Sequence, residues 1–128
     1  MPGWTKDELS SIGAEEEVQI AARRPDGTHR RPVIVWIVRS GEGLYVRSAV
    51  KGPDALWYRA VQQTGEGRLY ANRIEKDVTF RRAHHDDNDG VDAAYRAKYR
   101  RYTEIVKGIV SPAVRATTLR LSPATRSH

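Results

Sequence analysis

The segment from Gly43 to Arg59, GLYVRSAVKGPDALWYR, gathers the side chains best suited to gripping a charged small molecule. Arg47 brings a bidentate fork, Ser48 a hydroxyl and Lys51 a compact positive charge. Gly52 lets the backbone turn closely. The residues from Pro53 read as a helix, and a helix start favours phosphate or carboxylate through its free N–H groups and positive dipole end. Trp57 and Tyr58 lie one turn into that helix and suit the cover of a flat ring. The segment therefore reads as a phosphate-and-ring pocket. The same residues also fit an ordinary strand-to-helix turn, with Trp57 in the core and the basic groups in water. Spacing leaves both readings open.

Other chemistry is thinner. The stretch Asp92 to Lys107 carries Arg96, Lys98, Arg100, Arg101 and Lys107 against Glu104, with tyrosines between them. A basic helix of this kind suits a nucleic-acid backbone. It equally suits a helix whose tyrosines pack inward and whose charges face water, which is the reading we prefer. His84-His85-Asp86-Asp87-Asn88-Asp89 offers metal-type donors, but adjacent ligands in one loop rarely converge on an ion. The stretch lacks the positions of an EF-hand loop, so it reads as a solvated loop. The chain has no G-x-S-x-G elbow, dinucleotide fingerprint or P-loop, and no metal site or catalytic residue is assigned.

These groups need elements to hold them. Thr5 and Glu8 have capping-box spacing ahead of a short helix from Lys6 to Ile12, which Gly13 would end. Val18 to Ala22 alternates as a strand, and Pro25-Asp26-Gly27 is a turn. Val33 to Val38 is apolar throughout and β-branched, the pattern of a strand buried on both faces. A second subunit would supply one of those covers. Gly41 to Gly43 turns the chain back into Leu44–Ser48. Pro53 to Gln63 is the middle helix, broken by Gly65-Glu66-Gly67. Strands follow at Leu69–Ala71 and Val78–Phe80. A long helix spans Val91 to about Val110, with Tyr95, Tyr99, Tyr102 and Val106 on one face. Thr117, Leu119 and Leu121 make a last strand, and Ser122–His128 reads as a frayed tail. The order implies a single α+β domain over residues 1–128, built as a small antiparallel barrel.

Composition narrows the class. The chain has 128 residues, no cysteine and a formal net charge of +6. That excludes disulfides, thiolate metal sites and a cysteine nucleophile. Residues 1–80 nearly balance their charges, and most of the positive excess follows residue 80. No apolar run approaches the roughly 18 residues that span a membrane. The N-terminus lacks a secretory pattern, so a soluble cytoplasmic protein without a membrane partner is expected.

The segments RPVIVWIV (31–38), GLYVRSAVKGPDALWYRA (43–60), KDVTF (76–80), DAAYRAKYRRY (92–102) and TTLRLSP (117–123), with WTKDEL (4–9), resemble a bacterial family of small uncharacterised proteins. That family is placed in the split β-barrel superfamily of flavin-reductase-like and pyridoxamine-phosphate-oxidase-like proteins. The resemblance implies a homodimer with FMN or a deazaflavin where subunits meet. It places Ser48 and Lys51, with Arg47 beside them, at the cofactor phosphate. Gly52 and Trp57 match the glycine and tryptophan of the deazaflavin relatives. It also makes Ala94 to Tyr99 a signature: either Ala94 and Ala97 allow close helix packing, or Lys98 reaches toward the ligand pocket. The first expectation is therefore a dimeric split barrel that binds a phosphorylated planar ligand, with flavin- or deazaflavin-dependent oxidoreductase as the implied activity. Arg47, Ser48, Lys51, Gly52, Trp57 and Tyr58 would bind the cofactor. The alternative is a cofactor-free barrel that binds a metabolite or a protein, favoured by Tyr58-Arg59 standing where deazaflavin relatives carry Asn. Nucleic-acid binding by residues 92–107 is the lesser alternative.

Overall fold

The structure, a computed structural model, describes residues 3–124. Its elements are α1 (Lys6–Ala14), β1 (Val18–Ala22), β2 (Val33–Val35), β3 (Ile37–Ser40) and β4 (Gly43–Val46), then α2 (Leu56–Thr64), β5 (Glu66–Ala71) and β6 (Ile74–Arg82). The chain ends with α3 (Asn88–Lys98), α4 (Thr103–Ile109), α5 (Pro112–Arg115) and β7 (Leu119–Pro123). The seven strands form one antiparallel sheet in the order β2-β1-β5-β6-β7-β4-β3. Its two edges, β2 and β3, are consecutive in the chain and joined only by Trp36. The sheet thus rolls up on itself, and its seam is a single bent segment. The fold is the expected α+β split barrel. Among the described residues no helix is long and apolar enough to cross a membrane.

The bend corrects the reading of Val33–Val38 as one strand buried on both faces. Val33–Val35 pairs with β1, whereas Ile37–Ser40 pairs with β4. Side chains alternate across a strand. Ile37, Leu44 and Val46 point into the barrel with Ile20, Leu69, Val78, Leu119 and Leu121. Val38 and Tyr45 join a second cluster with Val91 and Tyr95 of α3, Tyr99 at its C-cap, and Val106 and Ile109 of α4. Both faces of β3 are therefore covered within one chain. Before the bend the outer face is open, and Ile34 is 61% exposed.

Other boundaries follow local chemistry. The Thr5–Glu8 capping box is present, but α1 runs through Gly13 to Ala14. Gly65 caps α2 at φ 68°, whereas Gly67 lies inside β5, where a Cβ would sit 2.4 Å from the Ala21 carbonyl oxygen. The expected helix Pro53–Gln63 is a 3₁₀ turn at Gly52–Asp54 followed by α2. The loop read at residues 84–90 is a second 3₁₀ turn and the start of α3. The long helix is three helices, broken first between Tyr99 and Tyr102. Its tyrosines stay together because the break folds α4 back on α3. Ser122 and Pro123 are not frayed: they pair with Thr79 and Val78. The rest of that expected tail, from residue 125, lies outside the described residues.

Candidate functional site

The bend leaves backbone groups outside the ladder, and buried carbonyls need partners. Helix α3 supplies them. The Tyr95 hydroxyl donates to the Trp36 carbonyl at 3.1 Å. The Lys98 ammonium donates to the carbonyls of Ile37 at 2.6 Å and Glu15 at 2.5 Å. The Tyr99 hydroxyl donates to the Glu16 carbonyl at 2.6 Å, and its ring stacks on Trp36 with centroids 3.9 Å apart and planes within 3°. Burial raises both tyrosine phenols and lowers the Lys98 ammonium to about 8, against the pull of Glu15 and Glu16. The signature Ala94–Tyr99 thus braces the seam. Lys98 binds backbone rather than a ligand pocket, and Ala97 is exposed, so Ala94 alone packs inward.

Trp36, held this way, forms one wall of an open cleft of about 750 Å³. That volume lies within the range of small-molecule sites. Ser48 and Lys51, from the loop after β4, line the cleft, as does Trp57 from the first turn of α2. Glu17 and Asp54 also reach it. The large exposed apolar side chains among the described residues are Ile34, Val50, Leu56 and Ile105, at 61%, 93%, 73% and 50%. All four line this cleft.

The six predicted site residues divide. Ser48, Lys51 and Trp57 come together at the cleft. Lys51 is exposed and forms no ion pair among the described residues. The Ser48 hydroxyl is buried and donates to the Gly52 carbonyl at 2.6 Å, which ties the loop to its turn. Gly52 adopts φ 53° and makes that turn, with open space where a Cβ would stand. Tyr58 is a core residue, buried against the barrel and edge-on to Trp57.

Arg47 borders the cleft, but its guanidinium is committed elsewhere. Its side chain has no accessible surface, and it meets Asp92 at 2.5 Å. It donates further to Thr118 at 2.8 Å, to the Ile109 carbonyl at 3.1 Å, and to Asn88 at 3.3 Å. All its donor groups are engaged within the chain, where they tie the end of β4 to α3, α4 and the approach to β7. Sequence reading missed Ile34, Trp36, Leu56 and Ile105 as cleft residues. The available signal was Ile105, an apolar residue outside the tyrosine stripe. Among the described residues no cluster of His, Asp and Glu converges as a metal site.

Residues 8–121 match a protein family described as "Uncharacterized protein conserved in bacteria (DUF2255)". No curated protein matches the chain by sequence. Among solved structures, HutZ, the heme storage protein of Vibrio cholerae, is similar with a TM-score of 0.63 and 16% identity, covering 94% of this chain and 91% of its own. An F420-H2 dependent reductase gives 0.61 and 17%, covering 84% and 94%. A FAD-binding protein of Mesorhizobium loti gives 0.56 and 12%, covering 97% and 91%. At these identities the likeness is one of fold.

Proposed function

This chain belongs to the bacterial family matched over residues 8–121, and on that premise we propose that its cleft binds a flat, phosphate-bearing ligand of the flavin class, with a second copy of the chain closing it. One observation carries the reading. Every large exposed apolar side chain of the described residues lines one cleft, beside an unpaired lysine. Concentrated apolar exposure marks a binding surface. Trp57, Ile34 and Leu56 suit the faces and edges of a ring, and the Tyr99-braced Trp36 gives a rigid wall. Lys51 supplies the charge for a phosphate, with the N–H groups at the start of α2 beside it.

The names of the similar structures include F420 and FAD, which supports a flavin over other rings. The lining holds no histidine, cysteine or methionine, so haem iron would find no axial side chain of those types. A bound flavin supplies the hydride chemistry of an oxidoreductase. The part of this chain is grip and orientation: Lys51 anchors charge, Trp57 and Trp36 hold the ring, and the apolar rim excludes water.

A second reading, a cofactor-free cleft for a metabolite or protein, draws on Arg47 being consumed internally and on Glu17 and Asp54 reaching the cleft. Two carboxylates oppose a phosphate and favour a neutral or amine-bearing ligand. The visible spectrum of the purified protein, followed by titration of the apo form with FMN and a reduced deazaflavin, separates the two. The flavin reading expects affinity that Trp57→Ala and Lys51→Gln each weaken. No chromophore and no affinity below about millimolar for either ligand overturns it. Sedimentation at micromolar concentration tests the second copy, and a monomer would refute it.

A further inference from the structure

The basic stretch after Gly90 plays no part in the cleft. Where α3 and α4 fold back on each other they leave a second hollow, of about 270 Å³. Arg96, Arg100, Thr103 and Lys107 line it over a floor of Val106 and Val110. The three cations are exposed, and no carboxylate belongs to the lining. Nearby arginines are neutralised: Arg101 meets Glu16 at 2.5 Å and Arg115 meets Asp89 at 2.9 Å. Arg96 and Arg100 form no ion pair among the described residues. Lys107 has Glu104 at 3.1 Å, a pair so exposed that it is worth little.

This arrangement runs against local preference. Arg96 stands in the last turn of α3 and Arg100 just past its end, and both guanidinium groups line the one hollow, where like charges repel. The break between Tyr99 and Tyr102 then carries Lys107 in beside them. Helix dipoles account for a cation in the last turn of α3 and of α4. They do not account for the convergence of these cations on one hollow whose lining holds no acid.

We infer that this hollow is a second binding site, for a compact oxyanion of the phosphate or pyrophosphate class. Two guanidinium forks offer bidentate contacts, and Lys107 adds a point charge. The Thr103 hydroxyl at the rim donates to the Arg100 carbonyl at 3.3 Å, so the two forks and Lys107 supply the donors for the anion. A nucleic-acid track fits the surface less well. Single strands are gripped by aromatic stacking, and Tyr95 and Tyr99 are buried while Tyr102 is half-buried against Trp36.

Calorimetric titration of the whole protein at low salt with pyrophosphate and with inorganic phosphate tests the site. Saturable pyrophosphate binding is expected, weakened about tenfold or more by Arg96→Gln/Arg100→Gln, since each fork carries charge-assisted bonds. Lys107→Gln alone should weaken it severalfold, and serves if the double variant fails to fold. Arg101→Gln should bind as the wild type does, and the loss caused by Arg96→Gln/Arg100→Gln should persist in a Lys51→Gln background, where the cleft's own anchor is gone, which separates this site from the cleft. The inference is overturned by affinity no better than about millimolar, or by equal losses in Arg101→Gln, which mean general screening. It is also overturned if a single-stranded DNA oligonucleotide binds far more tightly, with a steep salt slope lost in the double variant.

Discussion

Asp92→Ala should cost the fold far more than its two ion pairs, with Arg47 at 2.5 Å and Arg115 at 3.2 Å, suggest. The Arg47 side chain is fully buried and Asp92 is its only charged partner among the described residues. Its remaining contacts are neutral: the Thr118 hydroxyl, the Ile109 carbonyl and two oxygens of Asn88. Without Asp92 an uncompensated guanidinium would lie in the interior, at a cost of about 3–5 kcal/mol. Against a typical domain stability of roughly 5–15 kcal/mol that is a large share. It corresponds to a melting temperature roughly 10–20 °C lower at this chain length. Arg47→Met should cost less, because it removes the charge as well as the contacts. Arg47→Met/Asp92→Leu should recover much of the Asp92→Ala loss, because no charge is then left unpaired. Urea and thermal unfolding of wild type, both single variants and the double variant give the coupling directly. The reasoning fails if Arg47→Met melts with the wild type and instead abolishes ligand binding at the cleft. Arg47 would then be the phosphate ligand that its position in the sequence suggests.

Lys98 makes a pH prediction. Burial lowers it from 10.5 to about 8, so between those values the unfolded chain holds a proton that the folded chain has released. Stability from this group is therefore gained as pH rises through that window. Unfolding free energies of wild type and Lys98→Met should diverge in favour of wild type between pH 7 and pH 10; a constant difference would mean that the two carbonyls hold the proton on. Gly67→Ala should cost about 1–3 kcal/mol by overpacking, because its Cβ would meet the Ala21 carbonyl oxygen at 2.4 Å and the Phe80 ring at 2.8 Å. Gly52→Ala meets open space and should cost about 1–2 kcal/mol through its φ of 53° alone. Thermal melts rank the two glycines, and a neutral Gly67→Ala would refute the packing. Ile34→Asp should leave the melting temperature within a few degrees, as Ile34 is 61% exposed, yet abolish self-association in sedimentation. Unchanged association would remove the second copy from the cleft.

Much of the fold can be read in the residues. The capping box at Thr5 and Glu8, the strand at Val18–Ala22 and the hairpin through Gly41–Gly43 rest on neighbouring residues, and each stands close to where local chemistry puts it. The break in Val33–Val38 was not legible. A run of apolar residues looks the same whether one strand is covered twice or a bent strand serves two sheet edges. The break in the long helix was hidden likewise, since Tyr95, Tyr99, Tyr102 and Val106 satisfy helical spacing and also pack together across a turn.

The sequence alone determined the parts of the cleft: a loop with Ser48 and Lys51, a glycine able to turn, and Trp57 opening a helix. It also determined that any redox chemistry needs a bound group, because the chain has no cysteine. Which charges are free is set by the packing of distant segments. Arg47 and Lys51 are alike to a reader of spacing, but Asp92, Thr118, Ile109 and Asn88 arrive from distant segments to consume the first and leave the second. Arg96, Arg100 and Lys107 gather only because the chain reverses before α4. Pairing of charges depends on distance through space, and distance along the chain does not report it.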